Sequence, residues 1–257
     1  MKIYQTISAL VAMVVFATIA ISFGTRSSNS HQDSSKKQNN KRQEDRSKYP
    51  IADYEAPESE HEIRRKERKL KNKRYDNRSS SVSKEPPVDD GEENSLFTHS
   101  ESAVGLPASE SEIVVVGKVL DAQAYISNNK QGVYSEFTFR VDEILKTNST
   151  NITQNSLINV DREGGFVLYK NGKKRLHRIA GFGMPSVGRR YVLFLKNPEK
   201  SLNYEIITGY ELSADGIANL DGFPQFSAYR GMNETAFMKA VREAISQSSQ
   251  AMPEKEK

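Results

Sequence analysis

The run Asp161-Arg162-Glu163-Gly164-Gly165 concentrates more chemically able side chains than any other stretch of the chain. Residues two apart on an extended strand share a face, so Asp161 and Glu163 would project together with Arg162 opposite. Two carboxylates so placed can hold a cation or act as an acid/base pair. The glycine pair beside them would let a ligand come close to the backbone. His177, within Lys173-Lys174-Arg175-Leu176-His177-Arg178, could join them in a hydrolytic constellation, because such groups need not be near in sequence. The plainer expectation is a strand-end ion pair involving Arg162 and an exposed hairpin histidine.

A second set is basic. Lys170, Lys173, Lys174, Arg175 and Arg178 cluster beside Tyr169, and together they could take an anionic polymer, with the tyrosine ring as a stacking platform. Nine Lys/Arg between Arg64 and Arg78 could likewise meet anionic lipid, nucleic acid or an acidic polymer. Charge runs are usually solvated faces, and that is the expectation for both. Other chemistries are excluded outright. With no cysteine there is no disulfide, thiolate metal site or cysteine nucleophile. There is no Gly-x-Ser-x-Gly elbow, no His-Glu-x-x-His and no phosphate loop. No cofactor or metal is expected, and an enzyme is the less favoured class.

The elements that must position these groups begin near residue 106. Ile113–Leu120 is a β-branched run suited to a buried strand. Val133–Leu145 alternates, with Val133, Phe137, Phe139 and Val141 on one side. Leu157–Val160 is short and alternating. Phe166–Tyr169 and Lys174–Ile179 flank Asn171-Gly172, a dipeptide that favours a type I′ hairpin. Tyr191–Leu195, Tyr204–Leu212 and Ile217–Leu220 complete the strands, and Gly117 and Gly209 mark bulges or corners. One helix is predicted over 234–246, capped by Asn233. The spacing predicts a mainly β fold: a small OB-like barrel or β-sandwich over 106–248 with one C-terminal α-helix, and a disordered tail over 249–257.

The preceding residues look different. Hydrophobic residues make up only 36% of the 257 and charged residues 27%, unevenly spread. Residues 26–99 hold 17 Lys/Arg against 15 Asp/Glu with almost no apolar clusters, so 26–105 is expected to be a disordered tether. A flexible chain of about 75 residues spans about 45–50 Å root-mean-square. Within it, 58–76 is rich in helix formers and offers the pairs Glu60/Arg64, Glu62/Lys66 and Glu67/Lys71. Ile63 and Leu70, seven apart with nothing between, cannot make a coiled-coil seam. Residues 1–25 carry the run Ile7–Phe23, nearly all apolar behind Lys2, which reads as a signal peptide or a membrane anchor. The domain of 100–257 is nearly neutral, 19 Lys/Arg against 18 Asp/Glu, unlike a folded nucleic-acid binder.

Val115-Val116-Gly117-Lys118-Val119, Phe137–Lys146 (FTFRVDEILK), Arg162-Glu163-Gly164-Gly165, Gly183-Met184-Pro185, Gly188–Leu195 and Thr208–Leu212 (TGYEL) together resemble uncharacterised exported bacterial proteins. The order of motifs is also similar to the OB-type barrel of netrin-like modules and tissue inhibitors of metalloproteinases. The likeness implies a fold only, because those inhibitors act through a cysteine-tethered N-terminus that this chain lacks. The expectation for function is a non-catalytic extracytoplasmic binding module at the bacterial cell envelope, joined to the membrane through residues 7–23, with an envelope protein or polymer as partner. An envelope hydrolase and a polyanion or nucleic-acid binder are the alternatives.

Overall fold

The computed structural model describes residues 49–57, 61–76, 82–95, 104–148, 151–198 and 203–250. The apolar run 7–23 and the tail beyond residue 250 lie outside them. Among these described residues ten strands and two α-helices follow in the order β1 (Ile51–Asp53), α1 (Glu62–Lys73), β2 (Gly91–Ser95), β3 (Ile113–Ile126), β4 (Val133–Thr147), β5 (Leu157–Glu163), β6 (Gly165–Leu168), β7 (Lys174–Ile179), β8 (Arg190–Lys196), β9 (Tyr204–Ser213), β10 (Gly216–Asn219) and α2 (Glu234–Gln250). The fold is mainly β, as the alternation predicts, with a C-terminal helix.

Five strands pair round in a ring: β3 with β4, β4 with β5, β5 with β9, β9 with β8, and β8 back to β3. Every joint is antiparallel except β5–β9, which is parallel and rests on two register pairs, Val160↔Tyr204 and Asp161↔Glu205. The continuous run Ile113–Val116 is explained by burial on both faces. Ile113, Val115 and Val119 join Phe137, Phe139, Val160 and Leu193 in one core. Val114 and Val116 join Val192, Phe194 and Tyr210 in a second, which Phe237, Met238 and Val241 of α2 cover. Asn233 caps that helix, its side-chain oxygen accepting from the Ala236 N–H at 2.8 Å. Gly117 sits where the β3–β4 register shifts, and a Cβ there would lie 2.0 Å from the Arg140 carbonyl.

β6 and β7 form a hairpin outside the ring. Its turn departs from the type I′ expectation. Gly172 alone has positive φ, +78°; Asn171 does not, and the Gly172 N–H donates to the Tyr169 carbonyl at 2.8 Å. That is a type I turn followed by a left-handed glycine, the three-residue hairpin loop.

The larger correction concerns the tether. Described residues between 49 and 95, assigned to it from their polarity, carry defined structure: β1 pairs parallel with β6, β2 pairs parallel with β7, and α1 lies against the ring. Tyr49, Ala52, Tyr54, Tyr75 and Val82 are all buried. Polar contacts hold the helix while Ile63 and Leu70 stay 74% and 69% exposed, so hydrophobic periodicity carries no trace of its docking. The helix over 234–246 also runs on to Gln250.

Arg162 turns into the interior beside Val160. Its guanidinium donates to both carboxylate oxygens of Asp221, at 2.5 and 3.0 Å, and to the Gly183 and Ile207 carbonyls at 2.7 and 2.9 Å. Thr208 Oγ1 and the Gly183 N–H complete the shell around Asp221. Removing one partner of a buried pair strands the other charge and costs about 3–5 kcal/mol, whereas an apolar replacement of both can be near neutral. Asp221→Ala is expected to lower stability by about that amount in urea denaturation, and Arg162→Met/Asp221→Leu to recover part of it.

Candidate functional site

Asp161 lies on the outer face of β5, opposite Arg162, and is fully buried. Alternation along the strand puts Glu163, also buried and in register with Tyr134, on the same face as Asp161. The expected pairing of Arg162 with a neighbouring acid is replaced by its reach to Asp221, 59 residues on. What meets Asp161 instead comes from the end of α1. Arg74 Nη1 donates to one carboxylate oxygen at 3.0 Å and the Tyr75 hydroxyl to the other at 2.7 Å. Arg74 also reaches Glu205 of β9 at 3.5 Å, so one guanidinium spans the two carboxylates that the parallel joint sets side by side.

The rest of α1 repeats this logic along β4. Arg68 donates to the Tyr134 hydroxyl at 3.0 Å and to Glu136 at 2.7 Å, and Lys71 lies 3.5 Å from Glu136. The Arg68 guanidinium sits 3.4 Å above the Tyr125 ring, a cation–π contact. The Tyr134 hydroxyl donates to Asn72 at 2.8 Å, and Tyr75 stacks on the Tyr134 ring with centroids 4.1 Å apart. Arg68, Lys71 and Asn72 are spaced 3 and 4 apart, so they share one helix face, and Tyr75 follows in the turn beyond its end. The basic segment thus meets the domain's own acids. Burial pushes the Asp161 carboxyl up to about 6 against the opposing pull of Arg74 and the Tyr75 hydroxyl.

His177 lies in β7 and is 1% exposed, contrary to the expected exposed hairpin histidine. Among the described residues neither ring nitrogen has a hydrogen-bond partner, and Nδ1 is 3.7 Å from Glu93 of β2, beyond hydrogen-bonding distance. Burial, helped by the Arg175 charge, pushes its pKa down to about 4. Among the described residues no group of three or more His, Asp or Glu side chains could hold a metal ion. Asp161 and His177 are covered by different elements: α1 for the first, β2 for the second.

The Gly164-Gly165 step does not open onto a ligand. Its φ values of +112° and +146° carry the chain from the ring into the hairpin. A Cβ on Gly164 would lie 2.7 Å from Met184 Cε, and one on Gly165 2.9 Å from Ser135 Oγ. Tyr169 is buried and stacked on Tyr54 at 5.3 Å, its hydroxyl donating to the Ser83 carbonyl, so its face is closed to a base. Lys170 and Lys174 are exposed and Lys173 half-buried. Arg178 donates to Glu92 at 2.6 Å and Arg175 lies 4.0 Å from Glu93. Tyr75, Glu92 and Glu93, which reach the candidate groups, carry no signal in the sequence motifs, and Arg74 figures there only as one of a basic run. The tyrosines at 49, 54 and 75 were the available signal, since disordered segments are poor in aromatics.

No protein-family model matches the chain, and no curated protein matches it as a relative. Among the described residues no helix is long and apolar enough to cross a membrane.

The two perturbed groups make opposite contributions to acid stability. His177 binds its proton less readily folded (about 4) than at its ordinary 6.5, so its contribution falls as pH drops through that window. Asp161 binds its proton more readily folded (about 6) than at its ordinary 3.8, so its contribution rises on the same acidification. Each slope is at most about 1.4 kcal/mol per pH unit. Relative to the parent chain, Asp161→Asn is expected to lose stability more steeply from pH 6 to 4, and His177→Gln less steeply. Urea midpoints at half-unit pH intervals check both signs.

Proposed function

We propose that this chain is a non-catalytic binding module of the OB type, displayed outside the cytoplasm at a bacterial cell envelope. The observation that carries the reading is the closure of the candidate acid–base groups by the chain's own residues. Arg74 and Tyr75 bond both oxygens of Asp161, and His177 lies buried in β7, in register with Glu93 of the edge strand. A general base must reach a substrate proton within about 3 Å or through one water.

The ring order β3-β4-β5-β9-β8, with the parallel joint between its third and last strands in sequence, supports an OB-type barrel rather than a sandwich. Its likeness to netrin-like and metalloproteinase-inhibitor barrels is proposed for the fold alone, and the resemblance to exported bacterial proteins supports the location. The apolar run 7–23 supports membrane targeting as an anchor or a cleaved signal. The partner is an envelope protein or polymer.

Fractionation of cells producing the full chain tests location. The domain is expected outside the inner membrane, open to protease in spheroplasts. Retention after alkaline wash identifies an anchor, and a soluble chain starting near Phe23 or Thr25 identifies cleavage. A domain shielded from protease in intact spheroplasts overturns export. A hydrolytic activity of the purified chain that Asp161→Asn abolishes replaces the binding reading with the envelope-hydrolase one.

A further inference from the structure

Both edges of the β6–β7 hairpin carry a parallel strand from the segment that precedes the ring, and the two are held very differently. β1, on β6, buries Ala52, with Tyr49 and Tyr54 buried on either side. On the way to β2 the last buried side chain is Pro87. From residue 88 to residue 95 none is buried, and Val88 is 87% exposed. β2 nevertheless keeps a five-residue register on β7, from Gly91↔Arg175 to Ser95↔Ile179.

Backbone pairing and acidic side chains hold it there. The Lys174 N–H donates to Asp90 at 2.7 Å, and Arg178 Nε donates to Glu92 at 2.6 Å and to Asn94 at 2.9 Å. Glu93 lies 4.0 Å from Arg175 and 3.7 Å from His177. The Ala180 N–H donates to the Ser95 carbonyl at 2.9 Å and closes the ladder. This is how a sheet edge takes an extended peptide: main-chain bonds give affinity and side chains at set positions give selectivity. The long Arg175–Glu93 pair is about a third exposed and contributes little by itself. The covalent link compensates, because a linked segment meets its site at an effective concentration of order millimolar.

We propose that the outer edge of β7 is a binding site for extended acidic peptides, that β2 is its resident occupant, and that a partner protein docks by replacing β2 with a segment whose carboxylates match Asp90, Glu92 and Glu93. The proposal rests on the binding-module reading and names the partner's chemistry. Arg175 and Arg178 select acids, while the β7 backbone requires a strand. A polynucleotide supplies the charge without the ladder.

The test uses the full chain and a fluorescein-labelled peptide of residues 86–96, PPVDDGEENSL. Glu92→Lys/Glu93→Lys sets like charges against Arg175 and Arg178 and frees the edge. This variant is expected to bind the peptide at least tenfold more tightly than the parent chain, whose resident strand competes. Replacing the peptide's Asp by Asn and Glu by Gln is expected to cost at least tenfold, as is adding Arg178→Ala to the protein. A cooperatively melting variant that does not bind overturns the proposal. So does equal affinity for the acidic and amidated peptides, or equal affinity for an oligothymidylate. If the double reversal prevents folding, Glu92→Gln/Glu93→Gln carries the same comparison. Loss of this site leaves the binding-module reading open to another face, whereas an Asp161-dependent hydrolysis overturns that reading without altering peptide affinity.

Discussion

The parallel joint between β5 and β9 is the constraint on which the rest of the molecule depends. Two register pairs are few for closing a five-strand ring, and parallel pairing is slightly weaker per residue than antiparallel. The joint also sets Asp161 beside Glu205, so the closure carries a like-charge contact of its own. Two arginines brace the joint from opposite faces, and the outer one also relieves that contact. Arg162, inside, ties β5 to Asp221, to the Ile207 carbonyl and, through Asp221, to Thr208 of β9. Arg74, outside, bridges Asp161 and Glu205. The residues of Asp161-Arg162-Glu163 that suggested catalysis are better understood as a clamp, in which Asp161 and Arg162 each need a cation or an anion from far along the chain.

This clamp explains why α1 docks without an apolar stripe. Asp161 and Glu136 are buried or nearly so, and an unpaired carboxylate in such a place is costly. Covering them with Arg68, Lys71 and Arg74 satisfies both sets of charges. Tyr75 stacked on Tyr134 supplies the aromatic contact. The helix leaves Ile63 and Leu70 to solvent because its inward face is chosen by charge.

The strands were legible because burial leaves a period. The β-branched run from Ile113 reports two-sided burial directly, and alternation in Val133–Leu145 marks a strand where one stands, although α1 closes its polar face over Tyr134 and Glu136. The turn at Asn171-Gly172 was legible as a turn but not in type, since the choice depends on the φ of Asn171 rather than on the dipeptide. The ring closure was not legible, because its stabilising pair is separated by 59 residues and neither member advertises the other. The segment 49–95 was misread for a related reason. Its cohesion is polar and aromatic, and a hydrophobic pattern search passes over Tyr49, Tyr54 and Tyr75, which sit singly among charged residues.

Charge carries the last step of the argument. Taken as runs, the basic stretch 64–78 and the basic hairpin 170–178 read as solvated faces with charge enough for an external polyanion. In the folded chain each faces acids of its own sequence: α1 meets Glu136, Asp161 and Glu205, and the hairpin's edge meets Asp90, Glu92 and Glu93. A net charge of +4 is what remains after this internal matching. The segment that looked like a spacer is therefore the complement of the surface it covers, and a chain cut at residue 105 would expose an acidic sheet face and a basic strand edge together. The two exposures are not equivalent. Stripping α1 uncovers Asp161 and Glu136 together with the Tyr134 ring on which Tyr75 stacks, so an apolar surface and the carboxylates lose their cover at once. Stripping β2 uncovers an edge where Arg175 and Arg178, partly exposed already, alternate with the buried Leu176, His177 and Ile179, and such an edge can change partners while the ring stays closed.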